Sequence, residues 1–376
     1  MPDVTFSTYL IYTLLMLTMV LPFWGFSNYK SQLLNKRYWI TAGILIGVYS
    51  IIVGLRYNVG KDYSAYLDWF KQYQAVGYYP VENSDFGFVW INKLLIVTHA
   101  HFSLLFIIIA FLQIFFLFKS LDYFKFLTSW YIFFFFTLII MFNSMNLMRQ
   151  TISYFIFFYT ILLFLDKKYL WMFLYLFLAV SIHKSILLFV WVYPFLKYDF
   201  YKNRYVQLGI LFSAFIIGSH FLEVFASSVS RITDMMGYQD YTSKVDKLTK
   251  ASKGFEGGSG LAKYLFLLLD VFIIVNSTKL KQRFSNYHIV PFYNLYFTGA
   301  IMESLVSSNY IFLRAIYFLL DFRILILSFL CFYYTEDKKP LNVVSLSLIV
   351  LLSLAFFFNS IDTAVAGCAP FNFVFE

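Results

Sequence analysis

The chain has 376 residues, 61% of them hydrophobic, 23% aromatic and only 13% charged, with a formal charge of +9. An ordinary soluble domain is about 25% charged, and here the apolar residues fall in runs near the length that crosses a bilayer. A soluble fold is excluded, and an all-α, polytopic integral membrane helix bundle is expected. Cys331 and Cys368 cannot build a disulfide scaffold and lack the neighbours of a metal site. The basic excess reports topology rather than nucleic acid, for which no tail or motif is present.

Tyr9 to Phe26 has no basic n-region and no small-residue cleavage site, so it is read as the first span and not as a removable signal. Twelve spans are expected, at 9–26, 38–55, 102–118, 130–146, 149–165, 169–182, 185–196, 205–222, 263–278, 289–307, 311–334 and 341–358. Phe86 to Val97 is apolar but about two-thirds of a span, and it carries Asn92 and Lys93, so it is laid along the interface. With the N-terminus outside, the short inner connectors hold Lys30, Lys36, Arg37, Lys119, Lys125, Lys167, Lys168, Lys197, Lys202, Arg204, Lys279, Lys281, Arg283, Lys338 and Lys339, fifteen of the 29 basic residues. Such clustering marks the cytoplasmic side, and both termini then fall outside.

The whole of 1–376 is read as a single membrane domain with two long outer segments. One, 56–101, contains the interfacial helix. The other, 223–262, carries Lys244, Lys247, Lys250 and Lys253 before a glycine-rich stretch, and a loop of that length is more often functional or mobile than structural. No internal repeat is visible, which counts against the common inverted-repeat transporters.

Four polar constellations interrupt the apolar pattern. At the end of the second span stands Gly54-Leu-Arg56-Tyr-Asn-Val-Gly60-Lys-Asp62-Tyr63-Ser-Ala-Tyr66. Arg56 there can aim a planar donor fork at phosphate while Asp62 accepts a proton or a sugar hydroxyl; an interfacial salt bridge in an aromatic belt is the other reading. Asn146-Leu-Met-Arg149-Gln150 occupies the turn of a hydrophobic hairpin, where Arg149 either snorkels to lipid phosphate or forms a phosphate clamp facing the bundle. Ser181-Ile-His183-Lys184-Ser185 splits a 28-residue apolar stretch, Tyr169 to Leu196, that is too long for one span at roughly 42 Å. Polar breaks of this kind line cavities, although a lone membrane histidine can also be merely hydrogen-bonded. The intramembrane charges Asp270, Glu303, Arg314, Asp321 and Arg323 come last; Glu303 and Arg314 fall at similar depth and are expected to pair, while Asp321 and Arg323, two apart, each need a partner elsewhere.

No Walker motif, Gly-x-Ser-x-Gly elbow, Asp-x-Asp or His/Cys ligand spacing is present, so neither a cofactor nor a metal is expected. The remaining cations, acids and histidine near one leaflet suit a dianionic lipid headgroup.

At these residues the chain resembles the EpsG-type branch of the Wzy-like bacterial surface-polysaccharide polymerases. The likeness rests on Arg56, Gly60-Lys61-Asp62-Tyr63 and Tyr66; on Asp85 before Gly87-Phe88; on Asn146 to Gln150; and on His183 with Ser185, covering roughly residues 40 to 200. It implies an enzyme of the bacterial cytoplasmic membrane, in the bilayer. Such an enzyme joins undecaprenyl-diphosphate-linked oligosaccharide repeat units into O-antigen, capsule or exopolysaccharide, beside a flippase and a chain-length regulator. On that reading Arg56, Arg149 and Arg314 hold diphosphate, and Asp62 or His183 is the base. Tyr63, Asp85, Asn146, Gln150, Lys184 and Glu303 position substrate. Asp62 is favoured as the base because it lies in an accessible loop beside Arg56, whereas Lys184 disfavours imidazolium at His183. A lipid-linked oligosaccharide flippase or other transporter, or a membrane O-acyltransferase using His183, are the alternatives.

Overall fold

A computed structural model describes residues 4–28, 32–77, 85–218, 260–306 and 310–375. Most of the 223–262 loop, including its lysines and the glycine-rich stretch to Ser259, lies outside the described residues. The fold is all-helical, and among the described residues the only β pairing is one isolated antiparallel bridge, Arg56 to Phe373.

The chain divides into two compact units, Met1–Tyr193 with Lys338–Glu376, and Pro194–Asp337, where the sequence suggests one domain. In the first unit, α1 (Phe6–Val20) tightens into a 3₁₀ stretch, Leu21–Asn28, which contains Pro22 and Gly25. There follow α2 (Gln32–Gly54), α3 (Tyr63–Val76), α4 (Phe86–Val97), α5 (Ser103–Leu121), α6 (Thr128–Thr137), α7 (Ile140–Asn146), α8 (Met148–Leu165) and α9 (Tyr169–Ile182). The second unit holds α10 (Arg204–Gly218), α11 (Gly260–Arg283), α12 (Ile289–Val306), α13 (Tyr310–Leu320) and α14 (Phe322–Glu336); α15 (Pro340–Asp362) returns to the first.

Among the described residues six apolar runs are long enough to cross a membrane: Phe6–Trp24, Asn35–Gly54, Ser103–Thr137, Met148–Leu165, Leu313–Glu336 and Pro340–Asp362. The 35-residue run turns back on itself at Phe124 (φ −129°, ψ 42°). Gln113 of α5 meets Met148 and Lys119 meets Tyr159, so α5 runs parallel to α8; Tyr131 stacks on Phe158 and Phe135 packs on Phe155, so α6 runs antiparallel to it. The segment expected at 169–182 is a shorter apolar helix; of the one at 205–222 the described part is helical, Arg204–Gly218, and 219–222 lie outside the described residues. The one at 185–196 is a 3₁₀ stretch, Lys184–Lys197, whose 14 residues reach about 28 Å at ~2.0 Å each.

In α4, Phe88, Asn92 and Leu95 are buried while Phe86, Trp90, Leu94 and Val97 are exposed, an apolar stripe of three- and four-residue spacing. Twelve residues span about 18 Å, too short to cross ~30 Å of hydrocarbon, so the stripe suits a helix lying at the bilayer surface.

The ends of the first unit are chemically unlike. At one end Tyr38 bonds the Phe118 carbonyl at 3.0 Å, Lys119 is caged by Tyr159 and Tyr175 at 4.8 Å each, and Tyr123 bonds Asp166 at 2.7 Å. Residues of two connectors expected inside, those carrying Lys119 with Lys125 and Lys167 with Lys168, lie here. The end of α2, the starts of α3, α4 and α8, and the end of α9 gather at the other.

Candidate functional site

The site grows from the break between α7 and α8. Leu147 leaves helical geometry (φ −87°, ψ 51°), which frees the carbonyls of the preceding turn. Buried side chains take them up: Gln113 Nε2 donates to the Ser144 and Met148 carbonyls at 2.8 and 3.0 Å, and Arg56 Nη2 donates to the Met145 carbonyl at 2.9 Å. Arg56 also donates from Nε to Val59 (3.2 Å) and from Nη1 to Val53 (2.6 Å), and its guanidinium packs near the Tyr63 and Phe106 rings. At 2% exposure this arginine is enclosed by protein, and its bonds to the Val53, Val59 and Met145 carbonyls tie the α2 exit to the α7–α8 break.

Gly60 completes that tie. Its φ of +105° suits glycine, and a Cβ there would stand 3.0 Å from the Met145 carbonyl oxygen. The turn delivers the Asp62 backbone N–H to Asn146 Oδ1 at 2.8 Å, which explains why the early loop and the Asn-x-x-Arg-Gln motif occur together. Tyr63 is buried and stacked on Phe106 at 4.3 Å.

At the second residue of α8, Arg149 faces Asp85 at the start of α4, Nη1 to Oδ2 at 3.1 Å. Its Nε donates to the Tyr66 hydroxyl at 3.3 Å, and the guanidinium lies 5.3–5.6 Å from the Phe88, Tyr66 and Trp69 rings. His183, extended (φ −158°, ψ 105°) where α9 ends, places Nδ1 3.3 Å from Asp85 Oδ2, and the Lys184 backbone N–H donates to Asp85 Oδ1 at 3.1 Å. Ser153 of α8 holds the Ala179 carbonyl at 2.7 Å, setting α9 one turn before His183. Gly87 lets α4 approach α9 closely, since a Cβ there would meet Ser181 Oγ at 2.4 Å. The Asp85 side chain is 4% exposed, whereas Arg149 and His183 keep 18% and 17%.

Burial pushes the Asp85 carboxyl up, but the His183 hydrogen bond and charge, then Arg149 and the Lys184 N–H, outweigh it and hold the group below its ordinary value. Between the folded and unfolded values only the unfolded chain takes up a proton, so this stabilisation is present above about pH 4 and lost as pH falls below it. The thermal midpoint is expected to be unmoved by Asp85 from pH 7 to 5. It then falls with an acid limb to which Asp85 adds up to about 1.4 kcal/mol per pH unit. Asp85→Asn is expected to flatten that limb, and superimposable limbs would refute the assignment.

Of the remaining expected residues, Gln150 is buried beside Arg149 in sequence, and Lys184 contributes its backbone to Asp85. Glu303 and Arg314 belong to the second unit. There Arg323 donates from Nε and Nη2 to the two Asp270 oxygens at 2.8 and 2.9 Å and also bonds Glu303, while Tyr296 donates to Asp270 at 3.0 Å. Glu303 thus has Arg323 as a partner that the depth argument did not assign. Trp69 and Gln113 were not among the expected residues. Trp69 lies three positions after Tyr66 on one helix face, and Gln113 is the lone polar residue of an apolar run, which are the signals that mark them.

Together these features define a polytopic α-helical membrane protein with a carboxylate-centred cation and imidazole site at one end of its larger unit. A family model described as EpsG family matches residues 39–373, and the chain belongs to that family, which fits a polysaccharide-polymerase-type, glycosyltransferase-like function. No curated protein matches the chain. No solved structure matches it either.

Proposed function

We propose that the chain joins undecaprenyl-diphosphate-linked oligosaccharide repeat units at the outer face of the bacterial cytoplasmic membrane, with both termini outside. The observation that carries this is the Asp85 carboxylate holding a partly exposed guanidinium and a partly exposed imidazole on one oxygen. In this reading the acceptor sugar hydroxyl attacks the anomeric carbon of the growing chain. The bond from that carbon to the carrier diphosphate breaks, and the charge left on the diphosphate is stabilised by Arg149. His183 takes the hydroxyl proton; with Nδ1 on Asp85, Nε2 is the accepting nitrogen, and Asp85 stabilises the imidazolium that forms. Asn146 fixes the Asp62 loop beside the arginine's helix start, Gln150 follows the arginine in sequence, and Trp69, half-buried, offers a ring face to the sugars. Arg56 acts through the loop it fastens.

The test is reconstitution of purified protein with a synthetic undecaprenyl-diphosphate repeat unit and mass analysis of the products. A ladder spaced by one repeat supports the reading, and unaltered substrate overturns it. Arg149→Lys keeps the charge but loses the planar fork, and is expected to cost about 1–3 kcal/mol of transition-state stabilisation, roughly 5- to 150-fold in rate. Normal turnover in Arg149→Lys at equal protein level would return this arginine to a lipid-snorkelling role.

A further inference from the structure

The loop between α2 and α3 is irregular backbone whose N–H groups need partners; Asn146 of α7 takes that of Asp62, and others remain. The segment after α15 provides them. Gly60 N–H donates to the Gly367 carbonyl at 2.8 Å, Lys61 N–H to Ala366 at 2.9 Å and Tyr57 N–H to Asn372 at 2.8 Å, while Val374 N–H returns a bond to Leu55 at 2.9 Å. The bridge between Arg56 and Phe373 lies within this ladder.

The segment is itself pinned at its core side. The Tyr12 hydroxyl bonds the Cys368 carbonyl, Phe371 N–H donates to Thr8 Oγ1 at 3.0 Å, and Tyr12 packs edge-on against Phe371 and Phe142 at 5.4 and 5.2 Å. Its bend uses left-handed backbone at Ala364 (φ +47°), Ala366 (φ +56°) and Gly367 (φ +72°). Alanine in that region is strained, and such conformations persist where surrounding contacts over-determine them. A Cβ on Gly367 would stand 3.0 Å from the Lys61 nitrogen and Cγ.

The contacts form a continuous chain from this segment to the site: Gly367 to Gly60, Gly60 against the Met145 carbonyl, the Asp62 N–H to Asn146, and Asn146 three residues before Arg149. We propose that residues 364–374 are a strap that positions the Asp62 loop and the α7–α8 break carrying Arg149, with Gly367 as its positioning residue. The strap pairs with the backbone of the same loop whose Arg56 side chain donates to the Met145 carbonyl, so the loop links the strap to the break. The consequence for transfer rests on the polymerase reading above; the strap itself does not.

The experiment compares full-length wild type, Gly367→Ala and Gly367→Val in lipid nanodiscs by amide hydrogen exchange, thermal unfolding, and transfer of the synthetic lipid-linked repeat unit. In Gly367→Val, exchange in the peptide covering 55–62 is expected to rise about tenfold or more while α5 and α8 keep their protection. The turnover number is expected to fall about 10- to 100-fold with KM within about threefold, because misplacement of a positioned group costs rate more than binding. Gly367→Ala is expected to lie between the two. A protease site inserted after Thr363 guards against misfolding: the uncut protein is expected to be active, the cut protein to lose activity as the segment is removed, and a peptide of residues 364–376 to restore it. Unchanged exchange at 55–62 in Gly367→Val overturns the strap. Raised exchange with unchanged turnover overturns its positioning role, as does a cut protein that stays fully active without the segment. If wild type transfers no repeat unit, the polymerase reading fails, and exchange at 55–62 still decides whether the strap exists.

Discussion

His183→Gln is expected to lower repeat-unit transfer about 10²- to 10⁴-fold at an unchanged level of folded protein, the usual cost of losing a general base. The glutamine can still hydrogen-bond Asp85 but cannot take a proton at this point of the site. Asp62→Asn is expected to have a smaller effect, because the Asp62 backbone N–H bonds Asn146 Oδ1, a contact that asparagine keeps. This reverses the order suggested by sequence, where the accessible loop favoured Asp62. The reversal comes from Asp85: a carboxylate on Nδ1 compensates the charge of Lys184 and supports imidazolium. The check is transfer by both purified variants from pH 5 to 9. An inert Asp62→Asn beside an active His183→Gln would restore the first assignment, and full activity in both would remove base catalysis from this end of the unit.

The largest expected effect on stability lies in the second unit. Arg323→Leu is expected to destabilise the protein by about 3–5 kcal/mol, because the change leaves the Asp270 and Glu303 carboxylates without the guanidinium that both contact. Arg323 and Asp270 are 4% and 3% exposed, so water cannot take over the lost contacts. Adding Asp270→Asn to Arg323→Leu is expected to recover part of the loss, since the second change removes a stranded charge; the two residues touch and therefore do not act additively. Unfolding of the single and double variants in detergent measures this. A loss below about 0.5 kcal/mol in Arg323→Leu, the scale of an ordinary surface change, would show that the cluster is solvated and not a buried network.

The membrane class could be read from the sequence because it follows from local quantities. Runs of Phe, Leu and Ile specify helices in lipid, since no other open backbone satisfies its own polar groups there. The motif residues Asp62, Asp85, Asn146, Arg149 and His183 also stood out locally, as polar groups where polar groups are costly, and the fold brings these five to one end of one unit.

What only the tertiary structure decided is which atoms meet. Arg56 and Arg149 look alike as arginines at the ends of apolar runs, yet one is sealed against three carbonyls and the other keeps a reachable edge on Asp85. That difference depends on the break at Leu147, whose freed carbonyls attract Arg56 and Gln113, and a one-dimensional pattern carries no record of it. Glu303 acquired Arg323 because partner choice follows helix rotation as well as depth. The hold of residues 364–374 on the Asp62 loop had no side-chain signature, because its bonds are made by backbone groups that every residue possesses, across more than 300 positions of chain.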